Sequence, residues 1–198
     1  MNKNIEHYFY HKANFLDEKF CENSINELDK NEWEKHTFYS ADGKDGEPTW
    51  SRPSGDNEPE VIDSDMFLLD VGKINKLIVD KLQSTILEYI ESYKFDWFFA
   101  WEGYSAMKFI RYSLGQKMVN HCDHIHSIFD GERRGVPILT VIGVLNDDYE
   151  GGEFIMFGDK KIDTKAGDLL IFPANFMFPH EITPVLKGAR YSYISWVW

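Results

Sequence analysis

The sequence has little cysteine and no long apolar run. Its two cysteines, Cys21 and Cys122, are too few for a disulfide-stabilised scaffold. The pattern gives no support to a disulfide between them, and thiols in a reducing compartment are the simpler interpretation. No stretch reaches the roughly eighteen apolar residues that mark a membrane-spanning helix. Met1–Tyr10 is polar and lacks the apolar core of a signal peptide. We therefore expect a cytoplasmic protein with no membrane partner.

Basic residues are also scarce relative to acidic ones. The chain has 21 Lys and Arg against 33 Asp and Glu, a formal net charge of −12. This charge repels nucleic-acid phosphates, and the only adjacent basic pairs are Arg133-Arg134 and Lys160-Lys161. A nucleic-acid partner is therefore not expected, and solubility is the simplest explanation of the acidity. The length of 198 residues favours one domain with a sizeable core, spanning 1–198.

Two helices are predicted in the N-terminal half. Asp17 is a suitable N-cap residue, and the apolar spacing after it predicts a first helix to about Asp29. A longer stripe predicts a second helix over about Lys73–Ser92. Its apolar positions are Ile74, Leu77, Ile78, Leu82, Ile86, Tyr89 and Ile90. This face is expected to pack against a sheet rather than bind a partner.

Between the helices, Ser40–Asp65 is rich in Gly, Pro, Ser and acidic residues. It predicts a long loop with at most one short strand. Long loops in compact domains are usually functional or disordered. Because it carries Trp50 and Arg52, we interpret it as a candidate lid over a peptide substrate.

After Phe95 the pattern changes to aliphatic and aromatic runs separated by turn signals, which predict strands. The runs lie near Ala106–Tyr112, Ile138–Leu145, Glu153–Phe157, Leu169–Phe172 and Arg190–Trp198. Helices followed by a series of strands indicate an α+β fold.

A candidate metal site lies among these strands. His121 and Asp123 are two residues apart, so an extended backbone places both side chains on one face. With His180 they form two imidazoles and a carboxylate, a set that suits non-haem Fe(II) with open positions better than structural zinc. Cys122 would point away from the ion. Further downstream, Arg190 offers a planar fork of donors suited to a carboxylate.

Other histidines compete with this assignment. His124 and His126 form a second pair at the same spacing, but no carboxylate follows His124 two positions on. They are interpreted as a polar loop, or as residues facing a substrate channel. His7, His11 and His36 are expected at the surface.

Four ordered segments resemble the 2-oxoglutarate- and Fe(II)-dependent dioxygenases, and specifically their prolyl 4-hydroxylase branch. Tyr112–Asp123 resembles Y-x-x-G-x-x-x-x-x-H-x-D, and 140–153 resembles T-x-x-x-x-L-N followed by GGE. Residues 167–172 resemble the GD-aliphatic-F strand, and His180–Trp196 resembles H-x-x-x-P-V-x-x-G-x-[KR]-x-x-x-x-x-W. The chain departs from many relatives at Met118, Val144 and Arg190, which bears on the substrate more than on the reaction.

The resemblance implies a double-stranded β-helix, a jelly-roll-like barrel, with the N-terminal helices packed on it. It implies that His121, Asp123 and His180 bind Fe(II) and that Arg190 binds the far carboxylate of 2-oxoglutarate. Tyr112 and Thr140 would add hydroxyls to this cosubstrate, and Trp196 and Phe154 would form apolar walls. Ascorbate is a candidate third cofactor.

The implied reaction is O2-dependent hydroxylation of a peptidyl proline or similar residue, in a peptide or protein substrate. An Fe(IV)-oxo species abstracts a hydrogen atom, with release of succinate and CO2. Oxidation of a small molecule or nucleobase is an alternative. A further alternative, from a different class, is a cupin-like binding protein without catalysis, although an intact triad with Arg190 argues against it.

Overall fold

A computed structural model describes residues 4–36, 38–40, 49–51, 57–64, 69–94, 103–123 and 137–198. These residues form two α-helices, α1 (Glu18–Leu28) and α2 (Leu69–Tyr93), and a short 3-10 helix, Ile5–Tyr8. The strands are β1 (Tyr10–Lys12), β2 (Glu34–Lys35), β3 (Phe38–Ser40), β4 (Thr49–Ser51), β5 (Glu60–Asp63), β6 (Lys108–Tyr112), β7 (Met118–His121), β8 (Leu139–Val144), β9 (Glu150–Gly151), β10 (Phe154–Met156), β11 (Lys160–Ile162), β12 (Leu169–Pro173), β13 (His180–Ile182), β14 (Val185–Lys187) and β15 (Arg190–Val197).

Two antiparallel sheets dominate the described part of the chain. The larger has seven strands in the order β1-β12-β8-β15-β6-β5-β2, and the smaller has four in the order β11-β10-β13-β7. Strands β9 and β14 form one further pair, and β3 and β4 form another. The non-sequential order shows that neighbouring strands come from distant parts of the sequence.

The larger sheet separates two apolar cores, and β15 contributes to both. Successive side chains of a strand point to opposite faces. Tyr193 and Val197 therefore join the core that contains α1 and α2. Ile194 and Trp196 point the other way, into a core shared with the smaller sheet. Two sheets that enclose an apolar interior, with helices outside the larger sheet, form the expected α+β double-stranded β-helix.

The predicted helices are confirmed. Helix α1 begins after Asp17, whose Oδ1 accepts a hydrogen bond from the backbone N–H of Phe20 at 2.8 Å. Helix α2 starts four residues earlier than predicted, at Leu69. The predicted stripe began at Ile74, but Val71 is also completely buried and extends the apolar face by one position.

The Ser40–Asp65 segment contains more strand than predicted. Strand β4 pairs with β3, and β5 lies in the larger sheet between β6 and the edge strand β2. Strands β4 and β5 are only three and four residues long, and β5 has just two apolar residues, Val61 and Ile62, between two acidic ones. Such short runs give a weak sequence signal. Residues 41–48, 52–56 and 65, which include Arg52, lie outside the described residues, and the lid stays a prediction.

The Gly167-Asp168 motif ties the N-terminal segment to the barrel. The backbone N–H of Leu16 donates to the Gly167 carbonyl at 2.9 Å. The buried Asp168 carboxylate accepts from the Asn14 backbone N–H at 3.1 Å and lies 2.8 Å from His11 Nε2. His11 is exposed, as expected, yet it also helps to satisfy a buried carboxylate.

Two compositional expectations can be compared with the structure. Cys21 and Cys122 do not form a disulfide. Among the residues described, neither helix combines the length and apolar character required to cross a bilayer. The cytoplasmic location and the single domain over 1–198 stay predictions.

We expect Gly143→Ala to destabilise the fold. Gly143 on β8 faces Tyr193 on β15, and a Cβ at this position would lie 1.9 Å from the Tyr193 Cζ. Overpacking a tight core costs about 1–3 kcal/mol. Since 1 kcal/mol shifts Tm by roughly 2–4 °C in a chain of this size, thermal unfolding should show a clear decrease.

Gly72→Ala is the matched control. Gly72 lies in α2, and a Cβ there would meet no atom within 4 Å. Alanine is favoured over glycine in helices by up to about 1 kcal/mol, so this variant should keep or raise Tm. An unchanged Tm in Gly143→Ala would contradict the packing argument.

Candidate functional site

Strand pairing brings the predicted triad together. His121 on β7 lies directly opposite His180 on β13, with ring centroids 4.4 Å apart. Asp123 follows two residues after His121, and its Oδ1 lies 3.7 Å from His121 Nε2. One ligand atom from each of the three residues falls within 4.8 Å of the others. This spacing is compatible with a single metal ion.

A β-bulge turns His121 toward the site. Ile182 pairs with Met118 and His180 pairs with His121, so three residues of β13 span four of β7. In a regular strand, residues three apart point to opposite faces. The extra residue re-aims the chain, and the buried Met118 and the metal-facing His121 both point inward.

Backbone carbonyls fix the orientation of both imidazoles. His121 Nδ1 lies 2.8 Å from the Val119 carbonyl oxygen, and His180 Nδ1 lies 3.2 Å from that of Phe178. Because a carbonyl only accepts, each Nδ1 is the donor, and Nε2 is the nitrogen left to bind a metal. Burial also lowers the pKa of His180, despite the opposing effect of Asp123, so its ring is neutral. The His180 ring is therefore in the form that binds metals.

Cys122 lies outside this ligand group, as expected. Its Sγ donates to the carbonyl oxygen of Phe176 at 3.4 Å. The thiol therefore points to the loop between β12 and β13, away from the ligand atoms of the triad.

The Asp123 carboxylate has one partner deep in the barrel. Thr140 Oγ1 donates to Asp123 Oδ2 at 2.6 Å, and both residues are buried. The expectation that Thr140 binds a cosubstrate directly stays a prediction. In this structure its hydroxyl proton is committed to the carboxylate.

Arg190 is a buried cation that lacks a counter-ion among the described residues. It is 1% exposed, and its Nη1 donates to Ser192 Oγ at 2.9 Å. Its Nε and Nη2 are buried and have no hydrogen-bond partner in the described part of the chain. An unpaired buried charge is strongly unfavourable. The donor fork therefore fits an anionic ligand, and a carboxylate matches its geometry.

Tyr112 forms the wall beside this cation. It pairs with Arg190 across β6 and β15, and the guanidinium carbon lies 5.4 Å from the centre of its ring. Burial raises the pKa of Tyr112 to about 12, although Arg190 opposes the shift. The hydroxyl therefore remains protonated at neutral pH and can donate a hydrogen bond to an anion.

Aromatic side chains surround the triad. Phe154 and Phe172 lie 5.6 and 5.2 Å from the His180 ring, between centroids. Trp196 pairs with Thr140 across β15 and β8 and packs on the inner core. These rings lower the local dielectric constant and strengthen charge interactions nearby. The assignment of Trp196 as a cosubstrate wall stays a prediction.

Two contacts of Arg190 were missed by sequence reasoning. Ser192 binds the guanidinium, and a signal existed, since residues two apart on a strand share a face. A Cβ on Gly152 would lie 3.2 Å from Arg190 Cδ, and this glycine has a φ of +59°. Gly152 therefore leaves room for the Arg190 stem.

His36, expected at the surface, is more buried than a typical surface residue. It is only partly exposed, and burial lowers its pKa to about 4, with further contributions from Lys108 and His121. Its immediate neighbours Glu34, Lys35 and Thr37 are polar, so the adjacent sequence does not signal burial. His7 is exposed as expected, while His124 and His126 lie outside the described residues.

Known proteins provide an independent comparison. Residues 107–198 match the family model of the 2OG-Fe(II) oxygenase superfamily. A PKHD-type hydroxylase of Alteromonas mediterranea is 34% identical over 96 residues, which cover 45% of this chain and 41% of that protein. A PKHD-type hydroxylase of Stenotrophomonas maltophilia is 33% identical over 99 residues, 48% of this chain and 43% of that protein. The matches thus span less than half of these relatives.

Solved structures match a larger part of the chain. A prolyl hydroxylase of Trichoplax adhaerens, in complex with a hypoxia inducible factor peptide fragment, aligns with a TM-score of 0.66 and 19% identity over 96% of this chain and 83% of that chain. A viral collagen prolyl hydroxylase from Paramecium Bursaria Chlorella virus-1, solved as a 2OG complex, aligns with a TM-score of 0.61 and 18% identity. This alignment covers 96% of this chain and 94% of that chain. At these identities the likeness shows the fold, which confirms the double-stranded β-helix.

The low pKa of His36 predicts a pH-dependent stability. The His36 imidazole has a pKa of about 4 in the folded state, whereas its ordinary value is 6.5. Between these values the unfolded chain binds more protons, so stability decreases as the pH falls from 6.5 toward 4. One pKa unit corresponds to about 1.4 kcal/mol. The free energy of unfolding, measured with urea, should therefore fall less between pH 7 and pH 5 in His36→Gln than in the unaltered chain, by about 1–2 kcal/mol.

His7→Gln is the control for this measurement, because His7 is exposed. It should show the same pH dependence as the unaltered chain. If His36→Gln did so as well, the buried environment of His36 would be refuted.

Proposed function

Because residues 107–198 match the family model of the 2OG-Fe(II) oxygenase superfamily, we propose that this chain is a 2-oxoglutarate- and Fe(II)-dependent hydroxylase. The observation that carries the proposal is the combination of the triad with a buried cation. Three ligand atoms lie within 4.8 Å of one another, and Arg190 Nε and Nη2 have no partner among the described residues. A structural zinc site would not require such a cation.

In this proposal His121, Asp123 and His180 hold the metal. Two imidazoles and one carboxylate leave further coordination positions open, which suits Fe(II) that must also bind a chelating cosubstrate and O2. Bound iron and 2-oxoglutarate supply the oxidising power that inserts one oxygen atom of O2 into a substrate C–H bond, with release of succinate and CO2. The protein binds, orients and shields these groups.

Arg190 binds the distal carboxylate of the cosubstrate. The two partnerless nitrogens, Nε and Nη2, form one edge of the guanidinium and can donate two parallel hydrogen bonds. The third nitrogen, Nη1, is already held by Ser192, which fixes the orientation of the fork. Tyr112 adds a protonated hydroxyl from the neighbouring strand. The surrounding apolar core excludes water and strengthens this pairing.

The proposed substrate is a peptidyl proline or a similar residue. Relatives of the catalytic part are named PKHD-type hydroxylases, and similar structures include prolyl hydroxylases, one of them bound to a peptide. The exposed apolar side chains of Phe176 and Met177 lie in the β12–β13 loop, whose Phe176 carbonyl contacts Cys122 beside the triad. This apolar rim is compatible with a peptide.

We expect Arg190→Ala to weaken 2-oxoglutarate binding without loss of the metal. Removing one partner of a buried charge pair costs roughly 2–5 kcal/mol, or about 30- to 5,000-fold in affinity. The measurement is anaerobic titration of the Fe(II)-loaded protein with 2-oxoglutarate, followed by the visible charge-transfer band. Unchanged 2-oxoglutarate affinity would rule out the role of Arg190.

Two variants serve as controls. His180→Ala should lose tight Fe(II) binding while circular dichroism stays unchanged, because it removes one of three ligands. Arg111→Ala removes an arginine of the same sheet that is paired with Glu60 and Asp29, and it should leave 2-oxoglutarate affinity unaltered. Full iron loading of His180→Ala would contradict the ligand assignment.

The substrate class is tested by turnover of a peptide library with Fe(II), 2-oxoglutarate and ascorbate. We expect a proline-containing peptide to become about 16 Da heavier, the mass of one oxygen atom. Mass spectrometry detects this product. Free proline and nucleosides supply the comparison. Turnover of these compounds without turnover of any peptide would refute the peptidyl substrate but not the oxygenase.

A further inference from the structure

The hydroxyl of Thr140 makes a contact that the proposed reaction has not yet used. We propose that Thr140 is a positioning residue that holds Asp123 as a one-oxygen metal ligand and thereby keeps a coordination position open. This inference rests on the proposed function.

The two carboxylate oxygens of Asp123 are in different environments. Oδ2 accepts from Thr140 Oγ1 at 2.6 Å, whereas Oδ1 lies 3.7 Å from His121 Nε2. A hydrogen bond from a hydroxyl to an ionised carboxylate is short and about twice as strong as a neutral one. Thr140 is completely buried and Asp123 is 9% exposed, so water does not readily replace this contact.

Thr140 is more firmly placed than Asp123. It lies within β8, at the centre of the larger sheet, where it pairs with Phe172 on one side and Trp196 on the other. Its branched Cβ further restricts the side chain. Asp123, in contrast, lies two residues beyond the end of β7. The hydrogen bond from Thr140, which is fixed in the sheet, therefore restricts the orientation of Asp123, which lies on a loop.

The orientation of this carboxylate matters for the number of open positions. A carboxylate binds a metal through one oxygen or through both. If both oxygens of Asp123 bound, the ligand set would occupy four positions instead of three, which leaves too few for a chelating cosubstrate and O2. Occupation of Oδ2 by the Thr140 proton favours binding through Oδ1 alone.

This role competes with direct binding of the cosubstrate by Thr140. A threonine hydroxyl has a single proton to donate, and a carboxylate can only accept. The proton shared with Asp123 is therefore not available to 2-oxoglutarate. Among the described residues near the cosubstrate end, Tyr112 and Ser192 are better placed beside Arg190.

The test removes the hydroxyl and the methyl group of Thr140 in two separate variants. Thr140→Val keeps the shape and removes the proton, whereas Thr140→Ser keeps the proton and removes the methyl. Loss of a partner that orients a metal ligand typically costs about 10- to 100-fold in metal affinity. We expect this loss in Thr140→Val, measured by anaerobic competition for Fe(II), and affinity within a few fold of the unaltered chain in Thr140→Ser.

A second readout follows the cosubstrate. At saturating Fe(II), Thr140→Val should need more 2-oxoglutarate to develop the charge-transfer band, while Thr140→Ser should not. Thr85→Val is the matched control, because Thr85 is also buried but lies in α2, where its hydroxyl bonds to the Lys81 carbonyl. It should leave both affinities unchanged.

The outcomes separate this inference from the proposed function. If the unaltered chain and Thr140→Val bind Fe(II) and 2-oxoglutarate equally well, the positioning role is overturned and the proposed function stands. If Thr140→Ser fails as badly as Thr140→Val, the methyl group matters and the positioning role is again overturned. An unaltered chain that binds no Fe(II) would overturn the proposed function and this inference together.

Discussion

The burial of the Arg190 guanidinium in the barrel is the constraint on which the rest of the site depends. A cation that is 1% exposed and has two partnerless nitrogens among the described residues is unfavourable unless an anion joins it. The surrounding structure maintains this arrangement. Ser192 holds one nitrogen, Tyr112 lies beside the fork, and Gly152 leaves room for the stem. A ligand that pairs with Arg190 therefore gains affinity from a pocket that is already organised.

The metal end of the site is organised by a different device. Here the antiparallel pairing of β7 with β13, together with one bulge, sets His121 against His180. Backbone carbonyls orient both rings, and Thr140 orients the carboxylate of Asp123. The two ends are joined by the inner face of the larger sheet. Its strand β15 begins with Arg190 and carries Trp196 at the Thr140 end, so one strand links the anion site to the metal site.

The outer face of the same sheet supplies the rigidity that such a site requires. Helices α1 and α2 pack on it through a continuous apolar core. The close approach of Tyr193 to Gly143 belongs to this face, directly behind the strands that carry Thr140 and Ser192. Asp168 adds a polar tie to the N-terminal segment. Packing on one face of the sheet and chemistry on the other are thus coupled by the alternation of side chains along each strand.

Local patterns in the sequence were sufficient to predict the helices and to indicate the chemistry of the site. Apolar spacing and the Asp17 cap predicted both helices, because a helix repeats within a few residues. The spacing of His121 and Asp123, with His180 and Arg190 downstream, indicated the chemistry through the side chains themselves. What the sequence alone left open depended on contacts between distant segments. The bulge in β7, the commitment of the Thr140 hydroxyl to Asp123 and the burial of His36 leave no local signal. Only the tertiary structure decided them, because each is created by a partner that folding brings from another strand or loop.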